Sequence, residues 1–270
     1  MSKKYLAKVK GEIKKWEEEG PGYLSQVSDM LFRPAQKIAE SLIPEFVIDT
    51  VQTAIRGCFE ALLSGASYTI SKDEILQKII EQDPCLDSFD AILNSENLDA
   101  MDAVAYHYWN WNLGYAITQG IATGSAELLG LAANIPALFT IIFRMMQQIS
   151  ASYGFDPDLQ EEKQFILRVL SVASSADVAA KQAAMVFLKQ LQTQLIKKTW
   201  KKLAEEKALS VAIRELAKTI GIQITKRKAL QMVPIIGGII GGGFDGTYAN
   251  DVGRTAVMLY RKRKIELLKI

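Results

Sequence analysis

One histidine, two cysteines and no cluster of nucleophiles make up the reactive inventory of this 270-residue chain. His107 is the imidazole that any Ser-His-Asp triad, Cys-His dyad or multi-histidine metal site would have to use. It stands in Tyr106-His107-Tyr108-Trp109-Asn110-Trp111, which reads as aromatic packing on two faces of one helix. An interfacial belt or a ligand-stacking wall is the functional alternative. Cys58 and Cys85 have neither the spacing of a zinc site nor the number of a disulfide framework. Gly241-Gly242-Gly243-Phe244-Asp245-Gly246 fits G-x-G-x-x-G, with Glu266 twenty residues on. A dinucleotide site needs a strand before those glycines, and none is legible, so close helix packing is the better reading. There is no P-loop, H-E-x-x-H or G-x-S-x-G. The expectation is a chain without catalytic residues, metal or cofactor.

The elements that position these residues read as helices. The spacing predicts helices over 2–19, from about Glu45 to Leu63, and from Ser71, which has Glu74 as its capping-box partner. Another begins near Asn97, with interruptions expected at Gly114, Gly120 and Gly124 and a break at Asn134-Ile135-Pro136. Tyr153-Gly154-Phe155-Asp156-Pro157 reads as a turn, followed by helices at about 158–173, 176–204, 208–229 and 246–267. No run of period-two alternation appears. The fold class is therefore all-α: a compact multi-helix bundle, read either as an N-terminal helical region (1–95) and a helical core (96–270) or as one continuous domain.

Charge is strongly segregated behind a net +2. Residues 73–102 hold nine acidic side chains against Lys78, and residues 181–228 hold twelve basic against three acidic. Between Asp102 and Arg144 the sole charge is Glu127. Two sixteen-residue apolar runs, 128–143 and 229–244, form the centre of the fold. At about 24 Å each is shorter than the ~30 Å of a bilayer interior, and each contains a proline, Pro136 or Pro234. Burial inside the bundle, a half-embedded hairpin and true spanning helices are the three readings. Gly237, Gly238, Gly241, Gly242 and Gly246 give the small-xxx-small spacing of close helix packing. Arg144 and Asp245 border the two runs, and a partly buried pair of Arg144 with Asp245 or Glu127 is one expectation. On 181–204 the lysines Lys197, Lys198, Lys201 and Lys202 crowd one side opposite a leucine face, as on a helix lying on anionic lipid. Arg261, Lys262 and Arg263 extend that basic surface. The N-terminus lacks an apolar signal region, so the cytosol, or the cytosolic face of a membrane, is expected.

Two blocks resemble the EcsC protein family. The first is Asn134-Ile135-Pro136-Ala137-Leu138, Arg144, Tyr153-Gly154-Phe155-Asp156, and Glu162 with Phe165-Ile166-Leu167. The second is Val233-Pro234-Ile235-Ile236-Gly237-Gly238, the glycines after it, and Ala256 to Tyr260 with Arg261 or Arg263. The blocks cover roughly 80–265. The family more often carries Asp at Asn134 and Asn near Phe244-Asp245, which would rearrange the charge of any site there. The resemblance implies a mainly helical, bacterial-type protein linked to membrane transport or secretion, because the namesake is encoded beside the subunits of an ABC exporter. It implies no reaction. The sequence therefore points to a non-enzymatic, membrane-associated helical protein contacting anionic lipid or a transport complex, with no nucleic-acid partner. A soluble module holding a lipid-like or small ligand between the two apolar runs is the alternative.

Overall fold

Helix is the only regular structure among the described residues, as the periodicity predicts. The computed structural model describes residues 3–20, 44–65, 70–123, 128–175, 178–186, 213–222, 224–225 and 243–269. Its helices are α1 (Lys3–Glu18), α2 (Glu45–Ser64), α3 (Lys72–Gln82), α4 (Phe89–Asn94), α5 (Leu98–Thr123), α6 (Leu128–Ser152), α7 (Gln160–Ala173) and α8 (Gly243–Leu268). Segments 178–186 and 213–222 are also helical.

Local signals set several of the ends. Ser71 accepts the Glu74 N–H at 3.1 Å and starts α3, and Ser88 accepts the Ala91 N–H at 3.2 Å and starts α4. Gly65 ends α2 in the left-handed region at φ 88°, with its N–H returned to Leu62. Gly154 turns the chain after α6 at φ 84°, and a Cβ there would lie 2.6 Å from the Leu93 backbone nitrogen. That turn is pinned by Lys72, whose ammonium reaches Asp156 and Asp158, both at 2.5 Å.

Three expected breaks are absent, and the fourth, at Gly124, lies outside the described residues. α5 runs unbroken through Gly114 and Gly120, and α6 runs unbroken through Pro136. A mid-helix proline costs about 3 kcal/mol by removing a hydrogen bond and crowding the previous turn. Here Pro136 faces solvent, while Ile135, Leu138, Phe139, Ile142 and Phe143 are buried beside it. Each such side chain contributes roughly 1.5–3 kcal/mol on burial, so packing outweighs the local preference.

α6 is the central helix. It packs on α2, α5 and α8, and its Phe139 and Phe143 meet Phe59 of α2 at ring distances of 5.7 and 6.0 Å. One face of the described part of the first apolar run is thus buried in protein, while Pro136, Ala137 and Thr140 are exposed. Among the described residues no helix is long and apolar enough to cross a membrane. Most of the second run, with Gly237, Gly238, Gly241 and Gly242, lies outside the described residues, as do Glu127, Lys197, Lys198, Lys201 and Lys202. Gly246 is described: α8 packs most extensively on α5, and a Cβ on Gly246 would fall 2.5 Å from Ile117.

Candidate functional site

The C-terminal half of α8 carries a dense run of polar side chains: Tyr260, Arg261, Lys262, Arg263 and Lys264. Successive helical residues point about 100° apart, so this run sends charge toward several neighbouring helices at once. Long basic runs usually lie in solvent, and the sequence suggested a surface here. The structure corrects that expectation, because Arg261 is 2% exposed and Lys264 is fully buried.

Arg261 meets Asp102, the residue at the edge of the uncharged stretch, in a two-pronged pair. Its Nε donates to one carboxylate oxygen and Nη2 to the other, both at 2.8 Å. Tyr153 just beyond the end of α6 donates to Asp102 at 2.5 Å, and Tyr5 of α1 donates at 2.7 Å. Four donors use the whole accepting capacity of that carboxylate. The remaining guanidinium nitrogen, Nη1, reaches Glu12 of α1 at 2.8 Å. Burial works against the Arg261 charge. The Asp102 bonds and the adjacent Tyr153 and Tyr106 outweigh it and hold the guanidinium firmly protonated.

A second centre lies beside it along α8. Glu162 of α7, 3% exposed, accepts from Ser150 at 3.0 Å, from Arg263 at 2.6 Å and from Tyr260 through a short bond. The Arg263 guanidinium stacks over Phe155 and Phe165 at 3.9 and 4.3 Å. The Tyr153 and Tyr260 rings lie nearly parallel, 6.2 Å apart, and join the two centres. Burial, then the neighbouring carboxylate, pushes the ionisation of each tyrosine well above the usual phenol range. Lys264 donates to the Ile92 carbonyl at 2.6 Å and also to that of Leu93, capping the C-terminal end of α4, and burial lowers its pKa to about 8. Lys262 reaches Glu17 of α1, and Arg254 reaches Glu19 at 2.6 Å.

The residues singled out from the sequence do not form one site. Tyr153 and Glu162 belong to the paired centres with Arg261 and Arg263. Asn134 and Asp245 lie at the other end of α5: the Asn134 carbonyl accepts from Gln119 at 3.4 Å, and the buried Asp245 lies against Gly120. Asp245 occupies the first turn of α8, where the helix dipole favours a carboxylate. Eighteen residues of α5 separate Gly120 from Asp102, about 27 Å of helix. Arg144 lies between these ends, and its charge acts on Tyr108, which donates to Glu74 at 3.3 Å. His107 is exposed and stacks on Trp111 at 6.4 Å. Cys58 is buried, which raises its thiol to about 11, and Cys85 is exposed. Among the described residues no group of His, Cys, Asp and Glu is placed to hold a metal ion.

Asp102, Tyr260, Tyr5 and Ser150 were not recognised as site residues in the sequence. The one signal for Asp102 was its place as the last charge before the uncharged stretch.

Comparison with known proteins supplies the relationship. The family model described as the EcsC protein family matches residues 7–265, so the match begins inside α1 and takes in both paired centres except Tyr5. Uncharacterized protein YdbA of Bacillus subtilis (strain 168) is 27% identical over 258 residues, covering 94% of this chain and 90% of that protein. Protein EcsC of the same organism is 22% identical over 222 residues, covering 82% of this chain and 80% of its own length. No solved structure matches. The chain, with its helical frame and its family residues divided between the two ends of α5, belongs to the EcsC protein family.

Proposed function

We propose that this protein is a non-catalytic helical scaffold working at the cytosolic face of a membrane, in contact with anionic lipid or with a transport or secretion complex. The observation that carries the non-catalytic part is the saturation of two buried acids at the C-terminal half of α8. Asp102 is held by four donors and Glu162 by three. A general acid or base needs a proton path to a substrate. These carboxylates spend their lone pairs on clamping α1, α5, α6, α7 and α8 together.

The membrane part is supported by the transport link that the family resemblance implies and by the twelve basic residues of 181–228. The proposed contact is peripheral, because Ile135, Leu138, Phe139, Ile142 and Phe143 of the first apolar run are committed to Phe59 and the rest of the core.

Membrane fractionation tests the proposal. We expect the protein to sediment with membranes at low salt and to be released by a carbonate wash. A wash-resistant pellet, or a wholly soluble protein at low salt, overturns it.

A further inference from the structure

Helix α1 divides its charges by direction. Val9, Ile13 and Trp16 are buried and form its inner strip. Its acids flank that strip: Glu12 pairs with Arg261 at 2.8 Å, Glu17 with Lys262, and Glu19 just beyond the helix with Arg254 at 2.6 Å. Lys181, from the 178–186 helix, donates to the Trp16 carbonyl and, at 3.0 Å, to that of Glu19, closing the C-terminal end. Three carboxylates are therefore spent on the frame.

The lysines point the other way. Lys4, Lys8, Lys10, Lys14 and Lys15 are all exposed, and Glu18 is the one exposed acid on the helix. Residues 4, 8, 11 and 15 follow the helical repeat along the side turned away from the buried strip, with Lys14 and Glu18 beside them. Ala7 and Gly11 lie among these lysines, and a Cβ on Gly11 would meet nothing within 4 Å, so no bulk holds the face away from a flat surface. Lys8–Glu12 at 3.7 Å and Lys15–Glu19 at 4.0 Å are loose exposed pairs that hold little of the lysine charge.

We propose that this outward face of α1 is the surface that docks on an anionic lipid bilayer. The inference rests on the membrane-contact reading above and names the face and the lipid charge it needs. From Lys4 to Lys15 the face is straight for about 17 Å. It is built from flexible ammonium groups that can each settle among headgroups. It lacks the exposed aromatic rings on which single-stranded nucleic acid stacks, so the lipid surface is the better fit. It also takes the place of the 261–264 run, where the α1 acids, Asp102 and Glu162 already pair with Arg261, Lys262 and Arg263, and Lys264 is spent on the α4 carbonyls.

The test is flotation of the full chain with vesicles of phosphatidylcholine alone and with about 30% phosphatidylglycerol, enough anionic lipid to set up a surface potential. Wild type should bind the anionic vesicles, release with salt and ignore the neutral ones. Each surface lysine contributes about a fivefold gain in partitioning. Lys4→Gln/Lys8→Gln/Lys15→Gln should therefore lose on the order of 100-fold, with helix content and urea midpoint unchanged. The matching Arg triple variant should bind like wild type. Wild type that binds anionic vesicles while the Gln variant binds equally well overturns the α1 assignment alone. Wild type that does not bind them overturns the membrane reading as well. Tighter wild-type binding to a duplex nucleic acid at equal phosphate concentration overturns lipid as the partner.

Discussion

From Gly246 to Ala256, α8 presents Gly246, Ala249, Gly253 and Ala256 on one face, and α5 approaches closely enough that a Cβ on Gly253 would run into the Trp109 ring. From Tyr260 to Lys264 the same helix presents large, mostly buried polar groups to carboxylates and carbonyls 98 to 249 positions away in sequence. The first half is held by shape, through dispersion contacts that vanish with small changes of distance. The second is held by paired charge, whose loss exposes the cost of an uncompensated ion. One helix thus has a volume-sensitive half and a charge-sensitive half. The difference teaches that burial by itself says little about which substitution a position tolerates.

The largest effect should come from the charged half. Asp102→Ala leaves Arg261 buried without its main partner and should cost about 3–5 kcal/mol, read from urea unfolding. Arg261→Met on that background should recover much of the loss, because the orphaned charge goes with it. A loss under about 1 kcal/mol for Asp102→Ala would break the comparison, since the pair would then be ornamental.

Next comes the shape-held half. Gly253→Ala forces a methyl group into Trp109 and should cost about 1–3 kcal/mol, equally at low and high salt. Gly57→Ala is its control. A Cβ on that helical glycine would meet nothing within 4 Å, so the substitution should stabilise α2 by about 0.5–1 kcal/mol. Thermal midpoints of the two variants should move in opposite directions.

These two halves were not equally legible in the sequence. Of the glycines read as helix-packing residues, Gly246 alone lies on the described α8, where it meets Ile117 of α5, and Gly253 was not singled out. The helix start at Ser71 and the turn at Gly154 were legible because their causes are local. The inward direction of Arg261 and Arg263 was not, since it depends on Asp102 and Glu162, more than 90 positions away. The interruptions expected at Gly114, Gly120 and Pro136 failed for a related reason. Local propensity is worth about 1–3 kcal/mol there, and tertiary burial of α5 and α6 exceeds it.

The charged half should also control alkaline stability. Tyr153 and Tyr260 have folded pKa values raised above the unfolded phenol value near 10. A raised folded pKa gives stability that is complete below the unfolded value and is lost as pH climbs through the folded one. Stability should therefore hold to about pH 10 and then fall by up to about 1.4 kcal/mol per pH unit for each such tyrosine. Phenolate absorbance at about pH 11 should show fewer than nine titrating tyrosines in the native protein and all nine in denaturant. Full titration of the native protein would place both rings in water and dissolve the distinction between the halves.

The smallest effect sharpens the comparison most, because it separates a charge pair that is buried on both sides from one that opens to solvent. Glu12 approaches the same guanidinium as Asp102 and at the same 2.8 Å, yet its side chain is 36% exposed where that of Asp102 is 2%. Removing it leaves Arg261 still paired in two-pronged fashion, so no charge is orphaned. Water and salt already screen what the Glu12 contact supplies. Glu12→Gln should therefore cost at most about 1 kcal/mol, and in about 1 M salt, where the screening length falls to about 3 Å, the variant and wild type should unfold together. A cost that persists in high salt would mean that α1 is held to α8 as a buried charge network. In that case the charge-sensitive half extends through Glu12 into α1, and the frame under the lysine face is more rigid than an exposed pair allows.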